Sequence, residues 1–173
     1  MSDMPEGALL LAFVTLQRLA ELGLARRNTR RLLAAGGVEL GRAHYPLIVA
    51  LHAAWLGGLW VLAYGRTVDP VYLAAFILLQ FARAWVIASL GRRWTTRIII
   101  LPGEPLIATG PYRYFSHPNY AVVAAEIAVL PLALHLPVVA ALFTLLNAAA
   151  LVIRVRAETR ALLAGVALPR AQP

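Results

Sequence analysis

Tyr45-Pro-Leu-Ile-Val-Ala-Leu-His-Ala-Ala-Trp-Leu-Gly-Gly-Leu-Trp-Val-Leu-Ala-Tyr64 carries no formal charge from end to end. A helix of that length, at about 1.5 Å per residue, is about 30 Å long, the thickness of bilayer hydrocarbon. A surface helix of a soluble protein shows one polar face, and this stretch has none to show. It reads as a membrane span with a single histidine, His52.

The neighbouring sequence repeats the pattern with more polar interruptions. Upstream, an apolar block from about Ala8 to Ala25 holds Gln17, Arg18 and Glu21 in its second half. Downstream, the turn from Gly65 to Pro70 leads to a third block, Val71 to Leu90, broken by Gln80 and Arg83. Two shorter segments, about Asn119 to Leu134 and Val138 to Ile153, flank His135-Leu136-Pro137. Both are short for full crossings, so a tight, tilted or partly inserted hairpin is expected. The reading is an all-α polytopic integral membrane protein of about five transmembrane helices with a C-terminal helical hairpin, one domain over residues 1–173. Composition agrees: 61% of residues are hydrophobic and 14% charged, against roughly a quarter charged in soluble domains.

The charge of +8 would suggest nucleic acid in a soluble chain. Here the basic residues are all arginine and fall between the apolar blocks, so nucleic acid is not the expected partner; membrane lipids are. Five arginines lie in the first loop (Arg26, Arg27, Arg30, Arg31, Arg42), one in the second (Arg66), four between Gly91 and Pro118, and four after Ile153. The positive-inside bias then places the N-terminus outside and puts the first loop, the 91–118 loop and the 154–173 tail in the cytosol. Asp3 and Glu6 precede the first block where a signal peptide would be basic, so that block is expected to be retained. With no cysteine, disulfides, thiolate catalysis and cysteine-based metal sites are excluded. The four histidines show neither HxxxH nor HExxH spacing, and no metal is expected.

Two segments facing the same side carry the chemistry. Gly110-Pro-Tyr-Arg-Tyr-Phe-Ser-His-Pro-Asn-Tyr120 runs into the fourth block. Pro118 and Asn119 suit a helix start, where free N–H groups favour an anion. After the fifth block, Arg154 and Glu158 share a helix face at i, i+4, with Asn147 on nearly the same stripe two turns deeper. Spacing alone is equally met by an anchor of snorkelling arginines, Arg154, Arg156 and Arg160. Glu126, seven residues beyond Asn119, lies about 10 Å deeper on a similar face. A carboxylate there is costly unless paired or facing a cavity, and a structural ion pair with Arg83 and a functional role are both open. Arg18 and Glu21 suit pairing with each other, His52 a helix–helix hydrogen bond, and His135 a solvated turn. Trp55, Trp60, Trp85 and Trp94 read as interface or packing aromatics at least as readily as substrate-stacking ones.

The Gly110–Tyr120 stretch, followed by Arg154-Val-Arg-Ala-Glu158, resembles the C-terminal signature of the isoprenylcysteine carboxyl methyltransferase family: G-x-Y-x-x-x-R-H-P-x-Y, a helical hairpin, then Arg and Glu four apart. The resemblance covers about the last 75 residues. It implies a cytosol-facing S-adenosylmethionine site and a lipophilic small-molecule substrate entering from the bilayer. By position, Pro105, Leu106 and Ile107 would line the adenosine pocket, partly through backbone. Tyr112, His117, Pro118, Asn119 and Tyr120 would complete the cofactor wall. Glu158 would take a polar end of the cofactor, and Arg154 would face the reacting group. Ser116 replaces the usual Arg, and Thr159 a frequent second Glu. In the N-terminal half, Arg18-x-x-Glu21, Asn28, Glu39-Leu-Gly-Arg-Ala-His44-Tyr45 and His52 resemble a bacterial branch associated with phenolic or pyrone lipids.

An S-adenosylmethionine-dependent O-methyltransferase is therefore expected, with Arg154 and Glu126 as catalytic candidates and His44, His52 and Asn147 as substrate-binding ones. Methyl transfer needs the acceptor oxygen held in line and water kept out. A carboxylate needs only orientation, to which the fork of Arg154 is suited. A phenol titrates near 10 and gains from a base, for which Glu126, His44 and His52 are candidates. Phenolic or pyrone lipid methylation leads, with isoprenylcysteine carboxyl methyl-esterification as the alternative. A small transporter subunit or a membrane scaffold is the rival from another class. Oligomeric state is not set by these features.

Overall fold

A computed structural model describes residues 5–105 and 107–166, with side chains described to residue 160. Five helices make the bundle: α1 (Glu6–Ala34), α2 (Tyr45–Ala63), α3 (Pro70–Leu90), α4 (Pro118–Ala133) and α5 (Pro137–Val166). Proline stands in the first turn of the last four, where its missing N–H costs nothing. At α3 the carboxylate of Asp69 also accepts from the backbone N–H of Val71 (2.9 Å) and Tyr72 (3.2 Å). α4 packs between α3 and α5, and α2 lies against α1 and α5.

The outer surface inverts the soluble pattern. Val61, Val71, Phe81, Val138 and Leu145 are 70–82% exposed, while Glu21, Arg83, Glu126 and Arg154 are buried. Apolar side chains outside and charges inside are what a bilayer solvent selects. Four helices carry segments long and apolar enough to cross a membrane: Glu6–Ala34, Arg42–Ala63, Pro70–Arg93 and Pro137–Arg160. Pro118–Ala133 is shorter. The expectation of two short final segments thus holds for α4 and is corrected for α5, which continues through Arg154 and Glu158 without a break. α1 likewise runs on past Ala25 to Ala34. In both cases hydropathy ends before the helix does, because Arg, Leu and Ala are strong helix formers.

The 91–118 segment is more than a loop. Ile98–Ile100 forms strand β2, antiparallel to β1 (Val38–Leu40), with Glu39 opposite Ile99. Three successive β-branched residues favour that extended backbone. Glu39 is clamped by Arg42 (3.0 Å) and Arg97 (2.9 Å), which ties the first loop to the third. At the opposite end of the bundle, Leu11, Leu59, Phe76, Leu130 and Leu134 form a closed core.

Candidate active site

Gly110 begins the turn that brings the Tyr112–Tyr120 stretch onto the bundle. Its φ of +59° belongs to the left-handed region, and a Cβ there would lie 2.1 Å from Ser89 Oγ on α3. Only glycine lets the loop descend this far. On the other side, Asn28 of α1 donates from Nδ2 to the carbonyls of Gly91 (3.1 Å) and Trp94 (2.8 Å), fixing the exit from α3.

Between these anchors the end of the bundle beside β1 and β2 holds two cavities. One, of about 260 Å³, is walled by β2, Pro105, Ile107, Tyr112, His117 and Glu158. The other, of about 340 Å³, lies among α1, α2, α4 and α5 and is largely apolar. Trp94, Thr95, Asn119, Tyr120 and Arg154 line both, so a ligand in each would meet at that wall.

Arg154 is the hub of the wall. Its Nε donates to the Tyr120 hydroxyl (2.9 Å) and its Nη2 to the Thr96 carbonyl (2.8 Å). Tyr120 in turn donates to the Glu158 carboxylate, and the His117 ring stacks on Tyr120 at 5.3 Å between centroids, with Nδ1 3.7 Å from Glu158. Nη1 of Arg154 has no partner among the described residues. Nor do the buried Trp94 indole N–H and Asn119 Oδ1. Unpaired buried polar atoms cost about 1–3 kcal/mol each, so these last two in one wall, beside that free Arg154 nitrogen, point to ligands that pair them. Burial, then the Glu158 carboxylate, pushes the Tyr112 phenol up to about 12.

Deeper in the bundle lies a polar ring. Arg83 binds both oxygens of Glu21 (2.5 and 2.6 Å) and one of Glu126 (2.8 Å). Arg18 bridges the same two carboxylates (3.0 and 2.8 Å). Gln80 takes the other Glu126 oxygen at 2.9 Å, and Gln17 joins Gln80 to Glu21. The ring is neutral, with two guanidinium and two carboxylate groups. Arg18 and Glu21 pair as expected, and Glu126 pairs with Arg83.

Of the residues singled out in the sequence, Pro105, Ile107, Tyr112, His117, Asn119, Tyr120, Arg154 and Glu158 come together around the first cavity. His52, Glu126 and Asn147 line the second. Pro118 sets the start of α4 and lines neither. His44 also lines neither: its ring folds back over Gly41, where an added Cβ would meet it at 2.4 Å, and its neighbour Tyr45 faces the cavity instead. Leu106 and the tail from 167 onward lie outside the described residues. Sequence reasoning missed Thr96, whose contact is a backbone carbonyl, and left Trp94 open between packing and substrate stacking.

Residues 72–164 match the isoprenylcysteine carboxyl methyltransferase family. The chain belongs to that family. It is thus a membrane methyltransferase of the isoprenylcysteine type, a class whose members use S-adenosylmethionine. It is 40% identical over 159 residues to the uncharacterized protein YpbQ of Bacillus subtilis (strain 168), covering 89% of this chain and 95% of that one. An uncharacterized protein of Haemophilus influenzae is 27% identical over 109 residues, 60% of this chain and 63% of its own. No solved structure matches. The first cavity suits the family's cofactor chemically: Glu158 offers a carboxylate to an ammonium or sulfonium, and Asn119 Oδ1 an unused acceptor.

Proposed function

We propose that this chain methylates an oxygen of a lipid-like acceptor, with S-adenosylmethionine in the first cavity and a phenolic or pyrone lipid in the second. The observation that carries the reading is the shared wall, in which one arginine borders both cavities. When bound, the cofactor supplies an electrophilic methyl carbon. Glu158, Asn119, Tyr112, His117 and the backbone around Pro105 and Ile107 would hold it, with the Tyr112 phenol remaining neutral at working pH.

The state of Arg154 bears on the acceptor. Two of its three nitrogens are engaged by Tyr120 and Thr96, which leaves Nη1 to orient a single oxygen rather than a full fork for a carboxylate. That supports a phenol or enol oxygen over a carboxylate. Glu126 is saturated by two arginines and Gln80, which favours its ion-pair role over proton removal. The arginines of the first and third loops and the tail support a cytosol-facing cavity end with the N-terminus outside.

The test is incubation of purified protein and labelled cofactor with an alkylresorcinol, an alkylpyrone and a farnesylcysteine analogue. Label is expected on the first two. Label on the last alone would overturn the acceptor class. Calorimetry in detergent showing no S-adenosylmethionine binding would overturn the cofactor assignment and favour a transporter subunit.

A further inference from the structure

Three helices carry a polar residue at the wall and a second one seven positions deeper: Tyr45 and His52 on α2, Asn119 and Glu126 on α4, Arg154 and Asn147 on α5. All six line the apolar cavity. Seven residues are two turns, about 10 Å along each helix. Hydrogen bonds hold the upper level together: Tyr45 to Thr96 Oγ1 at 3.1 Å and Arg154 to the Thr96 carbonyl and to Tyr120. The lower level is open on its cavity side.

What each lower group presents can be read from its bonds. His52 Nδ1 lies 2.8 Å from the Ile48 carbonyl. A carbonyl only accepts, so Nδ1 carries the hydrogen, and in the neutral ring Nε2 is left as an acceptor. Asn147 is 2% exposed, and its amide, a donor and an acceptor together, has no partner among the described residues. Arg18, from the neutral ring, also lines this cavity, and its Nε–H has no partner among the described residues. A plain hydrocarbon tail would leave these groups unpaired, at about 1–3 kcal/mol apiece. A carboxylate would meet the His52 lone pair and the Glu126 and Glu21 charges.

We infer that the lower level is a second recognition station, which binds an uncharged hydroxyl-bearing group on the acceptor about 10 Å from the oxygen that is methylated. A hydroxyl fits because it donates to His52 Nε2 while accepting from Asn147 or Arg18. The inference deepens the proposed function, since the position of the methylated oxygen rests on that reading. His52 and Asn147 are positioning residues here, not catalytic ones.

The experiment compares two long-chain 4-alkylphenols, one plain and one with a hydroxyl about five bonds from the ring; the ring adds about 4 Å from the phenol oxygen and five bonds at about 1.2 Å add about 6 Å, roughly 10 Å in all. A second pair has the same chains on a carboxylate head. Affinities are measured by calorimetry in detergent without cofactor, so the result stands apart from methyl transfer. The hydroxylated chain is expected to bind about tenfold tighter, equivalent to about 1.4 kcal/mol, with either head. Asn147→Leu and His52→Phe should each reduce that preference below about threefold, while Asn147→Gln keeps most of it. Equal affinities in the native protein, which would mean that water alone fills the level, overturn the inference, as does a preference that survives both variants. Should Asn147→Leu not fold, the native ratio and His52→Phe still decide. A failure of methyl transfer to every probe with the binding preference intact would count against the proposed function instead.

Discussion

The two ends of this bundle are built from the same helices and behave as different materials. Away from the β1–β2 ribbon, Leu11, Leu59, Phe76, Leu130 and Leu134 are 0–1% exposed and close without a gap. At the ribbon end, the same helices are held apart by side chains that must be hydrogen-bonded, and cavities of about 260 and 340 Å³ remain. In lipid, apolar contact gains little over the solvent, and association rests on close packing and on polar bonds. The sealed end uses the first and the open end the second. The neutral ring of Arg18, Glu21, Arg83 and Glu126 is the border between them.

The comparison breaks most severely at that border. Arg83→Leu leaves the buried Glu21 and Glu126 carboxylates with one cation between them, and removal of one partner from a buried pair costs about 3–5 kcal/mol. Little folded protein should survive size-exclusion chromatography in detergent. Phe76→Ala, at the sealed end, should lower thermal stability by about 3 kcal/mol yet leave cofactor affinity unchanged by calorimetry. A parallel loss of affinity would show that the ends are not separable.

The next largest effect is confined to the open end. Arg154→Lys keeps the charge and loses the fixed bonds to Tyr120 and Thr96. Removal of one preorganised donor typically costs 10²–10³ in kcat, so a fall of about that size with unchanged melting temperature is expected. Gly110→Ala, which drives a Cβ against Ser89 and strains the left-handed backbone, should weaken cofactor binding by roughly tenfold, about 1.4 kcal/mol, by lifting the loop from α3. The smallest effect is in alkali. Tyr112 titrates at about 12 in the fold against an ordinary 10.0. The unfolded chain therefore loses its proton first, and this contribution to stability is complete below pH 10 and declines as pH rises through about 12. Tyr112→Phe should flatten that part of the stability profile in alkaline melting curves.

How much of this could be read beforehand follows from what each residue says alone. The uncharged Tyr45–Tyr64 run announces a span because no other environment tolerates it. Arg154 and Glu158 announce a shared face by spacing, and the structure joins both to Tyr120. Glu126 announced expense without naming its partners, which come from two other helices. The ends of α1 and α5 were hidden because hydropathy measures solvent preference, whereas helix propensity continues through arginine. Thr96 was hidden because its contribution is a carbonyl that any residue has. His44 and Tyr45 are adjacent, and which of them turns to the cavity depends on the turn at Gly41, where φ is +66°.

The guanidinium of Arg154 stands in both cavities while anchored to one backbone carbonyl. On the proposed reading, whatever settles on one side bears on the angle at which that group meets the other, so the two ligands would not bind independently. Linkage requires the influence to be mutual: a cofactor that raises acceptor affinity by some factor has its own affinity raised by the same factor. Such an enzyme would favour the ternary complex over either half-filled state, and a single side chain would suffice to make it do so.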